Sequence, residues 1–232
     1  MSLSLLLLGF LVGMRHAMEA DHVAAVASLV TQSKSVRQAV VHGASWGLGH
    51  TITLFLFGTV ALLVDSIIPE NYAARLEFAV GIMLIILGVD VLRRLIKQKI
   101  HFHVHQHADG KQHFHAHSHQ HDEQDDHHHT HNHRFSGKAM LVGLVHGMAG
   151  SAALVLLTLN TAQSLYSGML YMLVFGLGSI LGMAVLSITM AVPLRYSARN
   201  MGWLFNGLQA VVGIATIYVG IMALGNWPQM FV

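Results

Sequence analysis

Apolar residues run through this chain in long blocks, without strict alternation and without a narrow stripe. Six blocks stand out, at about 3–30, 38–66, 73–96, 139–162, 167–192 and 201–224. At 1.5 Å per residue, each is long enough for a helix that crosses a hydrocarbon core of about 30 Å. Charge avoids the blocks: of 24 Asp, Glu, Lys and Arg residues, 10 fall between Lys97 and Lys138. The 232 residues are 53% hydrophobic and 10% charged, where an ordinary soluble domain carries charge on about a quarter of its positions. The pattern predicts an all-α polytopic membrane protein with about six transmembrane helices, solvated by a lipid bilayer.

The bases sort by connection. Lys34 and Arg37 lie in the first, Arg93, Arg94, Lys97, Lys99, Arg134 and Lys138 in or beside the third, and Arg195 and Arg199 in the fifth. The second offers Glu70 and no base, and the fourth has no charge. By the positive-inside rule the odd connections are cytoplasmic and both termini lie outside, in the inner or plasma membrane. The first apolar run lacks a basic leader, and Arg15 and His16 stand where small residues would mark cleavage, so it reads as a retained helix. The sequence pI of about 9.1 comes from bases flanking apolar blocks, not from one basic face, which argues against a nucleic-acid partner. With no cysteine, disulfides and thiolate metal sites are excluded.

Between the third and fourth blocks, residues 101–133 hold 14 of the 19 histidines with five acids among them. These are His101, His103, His105, His107, His113, His115, His117, His119, His121, His127, His128, His129, His131 and His133. The tract shows no apolar period, so a disordered cytoplasmic loop is expected, whose imidazoles bind divalent ions in many registers.

The flanking halves resemble each other. LVGMRHAMEADHVAAV from Leu11 aligns with LVGLVHGMAGSAALVL from Leu141, setting Gly13 on Gly143 and His16 on His146. GLGHTI from Gly47 aligns with GLGSIL from Gly176, and VGIMLIILG from Val80 with VGIATIYVG from Val212. Equivalent helices are separated by an odd number of spans, so the repeats of three plus three are inverted in the membrane. Such repeats mark secondary transporters, with the substrate site near the midplane between them. The expected organisation is a first transmembrane repeat at 1–96, the His-rich loop at 97–137 and a second repeat at 138–232.

Within the first block lies Arg15-His16-Ala17-Met18-Glu19-Ala20-Asp21-His22. A charged residue at a helix centre costs about 2.5–3.5 kcal/mol on insertion scales, so these groups must face protein, one another or a ligand. On one straight helix His16, Glu19 and His22 share an arc of about 120°, with Arg15 beside Glu19 to hold the carboxylate. Asp21 falls off that face, so either the helix is distorted there or Asp21 supports the ligands from outside. In the second block His42, Trp46 and His50 follow at i, i+4 and i+8. Counted from the helix ends, His50 reaches the depth of His16 and His146 that of His22. The candidate metal ligands are therefore His16, Glu19, Asp21, His22, His50 and His146, with Arg15 and His42 as supporting residues. Imidazole and carboxylate without thiolate suit Ni(II), Co(II), Zn(II) or Cu(II).

RHAMEADH resembles the RHAxDADH signature of the nickel/cobalt transporter superfamily, and GLGHT resembles its LGH motif on the next helix. The short two-repeat form and HGMAGSAA from His146 look most like its compact branch, which includes urease-accessory membrane proteins proposed to supply nickel. The resemblance covers most of the membrane part. It implies metal recognition by His16, Asp21, His22 and His50, and a transported Ni(II) or Co(II) in place of any resident cofactor. Glu19 stands where the family commonly has Asp. The acidic LGFDTATE motif of larger members has no match in the fifth block.

The expectation is a secondary transporter that takes up nickel or cobalt, with a cytoplasmic metallochaperone as a further partner. The alternatives are efflux through the same site and a non-transporting scaffold that delivers metal for urease-type assembly. An enzyme is not expected: HExxH is absent, and the spacing of His16 and His22 fits no protease zinc motif.

Overall fold

The structure, a computed structural model, describes residues 2–64, 70–97, 101–106, 112–117, 136–149 and 164–225, and of the two strands the backbone alone. The helices are α1 (Leu3–His16), α2 (Ala20–Val30), α3 (Val36–Val64), α4 (Glu70–Lys97), α5 (Gly137–Ala149), α6 (Leu165–Asn200) and α7 (Gly202–Leu224). The strands β1 (His101–Gln106) and β2 (Gln112–His117) lie between α4 and α5. α3, α6 and α7 are each long and apolar enough to cross a membrane, and α1 with α2 makes a fourth if counted as one broken span. The chain is an integral membrane protein. The fourth expected block is met in the structure by the 13 residues of α5, and its remainder from 150 lies outside the described residues.

The first block is not one helix. α1 stops at His16, residues 17–19 turn, and α2 leaves at 60° to α1. Glu19 precedes α2 with an extended backbone at φ −64° and ψ 149°, and the amides of Met18 and Glu19 bond back to Arg15 and His16 at 2.9 and 3.1 Å. The break turns the first amides of α2 toward the polar cluster, where carboxylates can accept from them.

Two kinds of surface explain the packing. Leu56, Val60 and Leu63 of α3 and Leu173, Leu177, Leu181 and Val185 of α6 are exposed, as befits side chains that meet lipid tails. The inner surfaces are lined by small residues, which let helices in a bilayer approach closely. α1 lies antiparallel on α6: a Cβ at Gly13 would meet the backbone of Phe175, and one at Gly178 the backbone of Phe10. α5 lies antiparallel on α3 in the same manner, with Gly143 on Trp46 and Gly49 on Met140. α4 and α7 pair through Gly81 on Gly220 and Gly88 on Gly213. The core between them includes Ala25, Val26, Leu29, Trp46, Leu84 and Met183. α2 is buried from Ala24 to Val30, and the Ser28 hydroxyl lies 3.0 Å from that of Thr216 on α7.

Two stretches of the histidine tract, 101–106 and 112–117, depart from the expected disorder. β1 and β2 pair antiparallel, with His101 opposite His117, His103 opposite His115 and His105 opposite His113. The physical reason is in the alternation itself. Histidine at every second position, with Phe102, Val104 and Phe114 interleaved, is the period of a strand. The remaining tract histidines, His107, His119, His121, His127, His128, His129, His131 and His133, lie outside the described residues.

Candidate metal centre

The break after α1 decides where the ligands go. It places His16 at the last turn of one helix and Asp21 and His22 at the first turn of the next. Asp21, off the shared face of a straight helix, is thereby swung into the cluster. Its Oδ1 accepts from the His22 backbone amide at 2.9 Å and lies 2.9 Å from His22 Nδ1. Its Oδ2 lies 3.0 Å from His146 Nε2 on α5. One carboxylate thus joins two helices, and its negative charge sits in the first turn of α2, where the helix dipole favours it.

His50 enters from α3, its Nε2 3.3 Å from His16 Nε2. His16 Nδ1 lies 3.0 Å from Glu19 Oε1. His22 is the hub: its ring centroid is 4.3 Å from His16, 4.3 Å from His146 and 5.0 Å from His50. α5 comes close enough because position 147 is glycine; a Cβ there would meet the His50 backbone, its Cα at 3.0 Å. Trp46, one turn before His50 and fully buried, closes one side with its ring 5.3 Å from His22 and from His146.

The polarity of this cluster is unbalanced for a finished core. His22, His50 and His146 are at most 1% exposed, yet His22 Nε2, His50 Nδ1, His146 Nδ1 and Trp46 Nε1 are buried without a hydrogen-bond partner among the described residues. Each such group costs about 1–3 kcal/mol, and no lipid can repay it. Two sets of donors lie mutually within 4.8 Å: His16, His22 and His50, and Asp21, His22 and His146. Ligands about 2.1 Å from one ion are at most about 4.2 Å apart, so an inward shift of a few tenths of an ångström assembles either set on a divalent ion.

Of the candidates, His16, Asp21, His22, His50 and His146 are brought together. Glu19 reaches the cluster through His16 alone and is 57% exposed at its side chain. Arg15 is exposed and forms no ion pair among the described residues, so the proposed Arg15–Glu19 clamp is replaced by His16–Glu19. His42 lies 3.1 Å from Ser33 and joins neither donor set. Trp46 is not among the expected site residues; its i+4 spacing to His50 is the sequence signal that it belongs here.

Residues 4–222 match the family described as cytochrome c biogenesis protein transmembrane region. The chain belongs to that family. It is 37% identical over 226 residues to the urease accessory protein UreH of Bacillus sp. (strain TB-90), covering 97% of this chain and 92% of the relative. It is 25% identical over 185 residues to a protein of Methanocaldococcus jannaschii named as a candidate nickel/cobalt efflux system, covering 76% and 72% of the two. The resemblance carried by RHAMEADH and GLGHT agrees with these relatives. No solved structure matches the chain.

Proposed function

We propose that the chain is a secondary transporter that takes up a divalent transition metal, nickel or cobalt, across the inner or plasma membrane through the His16, Asp21, His22, His50 and His146 centre. The observation that carries this is the convergence of the buried His22, His50 and His146, several of their nitrogens without partners, on the partly buried His16 and Asp21 inside a membrane protein. Glu19 and Arg15, exposed at the break, form the approach to it. The charge and imidazole content exceed what helix packing requires, and the donor set suits borderline divalent ions. The names of the relatives support the choice of metal: one is a urease accessory protein and the other is named for nickel and cobalt.

The halves 1–96 and 138–232 act as inverted repeats that rock about the centre, giving access from each side in turn. The glycine contacts support this pairing. Gly13 on Phe175 and Gly143 on Trp46 are equivalent contacts under the alignment of the halves, as are Gly178 on Phe10 and Gly49 on Met140. Both termini lie outside, and residues 97–137 collect metal on the cytoplasmic side for a metallochaperone. The protein turns over no covalent chemistry.

Efflux is the second reading, favoured by the name of the archaeal relative. Cells expressing the chain or His22→Ala at matched membrane abundance, given trace nickel, cobalt or zinc, distinguish them by cell-associated metal. Uptake raises nickel or cobalt in the wild type only, and efflux lowers it. No difference in any metal contradicts transport and leaves a metal-delivery scaffold.

A further inference from the structure

We propose that β1 and β2 form a metal-binding ribbon in which each pair of histidines opposite one another across the strands holds one divalent ion. This rests on the reading that residues 97–137 collect metal, and deepens it by naming the sites and their number. The register sets His101 opposite His117, His103 opposite His115 and His105 opposite His113. Residues directly opposite in an antiparallel pair share a face, and successive residues of one strand alternate between faces. All six histidine positions therefore fall on one face of the ribbon, as three cross-strand pairs. The other face takes Phe102 opposite Ala116, Val104 opposite Phe114 and Gln106 opposite Gln112.

Composition alone gives no such order. In an unordered tract any histidines that the chain brings together meet an ion, so the number bound follows the number of histidines. Strand pairing selects the partners. Cβ atoms of opposite residues are about 4.5–5.5 Å apart, whereas neighbours on the same face of one strand are about 6.8 Å apart along it. A histidine nitrogen binds a divalent ion at about 2.0–2.1 Å, so the cross-strand spacing suits two imidazoles on one ion with the backbone left as it is. Two protein ligands leave the ion's other positions to water or to an incoming donor, which suits metal held for onward transfer.

An ion that bridges the strands also reinforces their pairing, since a two-stranded ribbon alone is marginal in water and a ligand of the paired form stabilises it. The ribbon is tethered near the membrane. β1 begins at His101, four residues beyond the end of α4 at Lys97. Four residues span at most about 14 Å, so the first pair stays close to the membrane face where α4 ends.

Removing the same number of histidines in two arrangements separates paired sites from an unordered tract. The full chain carries His22→Ala, His107→Ser and the same serine change at the seven histidines of 118–133, so the ribbon histidines are those that remain in the tract. Ni(II) bound per chain is counted by equilibrium dialysis in detergent. His101→Ala with His117→Ala removes one pair and should lower the count by one ion. His101→Ala with His113→Ala splits two pairs and leaves His105 and His117 at opposite ends of the ribbon, so the count should fall by two. Ions held elsewhere are common to all three proteins and cancel in the differences. Thermal unfolding of the helices should be the same in all three, because the ribbon lies outside them. Equal losses in the two double variants overturn the pairing. Comparison of the wild type with a chain lacking 101–133 tests the underlying reading by itself: if both bind the same Ni(II), the tract collects no metal and both ideas fail. If the wild type binds more while the double variants lose equally, collection stands and the paired sites fall.

Discussion

Gly143→Ala sets two physical effects against each other. A helix gains about 1 kcal/mol when an interior glycine becomes alanine, so propensity alone predicts a more stable protein. The structure predicts the reverse. A Cβ at Gly143 would lie 2.9 Å from the Trp46 carbonyl carbon and 3.0 Å from the His50 amide nitrogen, and nearer still to the Trp46 oxygen. These are backbone atoms that no rotamer change can move. Restoring ordinary van der Waals contact requires α5 and α3 to part by more than about 1 Å, and overpacking of this kind costs about 1–3 kcal/mol. The net expectation is destabilisation by up to about 2 kcal/mol. The same separation carries His50 away from His146, so metal affinity should fall about 10-fold or more. Gly207→Ala is the control: it is helical, exposed and has nothing within 4 Å, so it should be neutral or stabilising by up to about 1 kcal/mol. Thermal unfolding in detergent and Trp46 quenching by Ni(II) read the two effects separately. A Gly143→Ala protein as stable as wild type, with unchanged affinity, would refute the close-approach argument.

Asp21→Asn keeps the shape of the group that bridges His22 and His146 but removes its charge; metal flux should fall at least about 10-fold at unchanged membrane abundance. Thr216→Val removes the hydroxyl that meets Ser28 and the Ala24 carbonyl, and thermal unfolding should show a loss of about 0.6 kcal/mol, the average for such bonds in membranes. Asp90→Asn releases Arg94 and Lys138, which lie 3.2 and 3.5 Å away; these groups are partly exposed, so stability should change by less than about 1 kcal/mol. Deletion of 101–133 should leave metal flux measurable with altered affinity or regulation, whereas a delivery scaffold would lose all function.

What was legible in the sequence follows from the physics that each feature obeys. The clustering of Arg15, His16, Glu19, Asp21 and His22 in an apolar block was readable because burying charge in lipid is costly, and depth counting brought His50 and His146 to the same level. The break at residues 17–19 was not readable from period alone, since no proline or glycine marks it; its one trace was Asp21, which fitted no straight helix. The Arg15–Glu19 pair needs i, i+4 spacing on a straight helix, and the bend removes that geometry. In the histidine tract, polarity argues for disorder and alternation for a strand. The strand period in His101 to Gln106 and in Gln112 to His117 carries the signal that composition obscures.

Flux through the purified protein tests the central claim most directly. Full-length chain is reconstituted into liposomes enclosing a nickel-quenched dye, with His22→Ala reconstituted at the same density. External Ni(II) or Co(II) should quench the dye in wild-type vesicles, with a rate near the empty-vesicle leak in His22→Ala. Equal rates in the two preparations would contradict the claim, because metal would then cross without the histidine that both donor sets share.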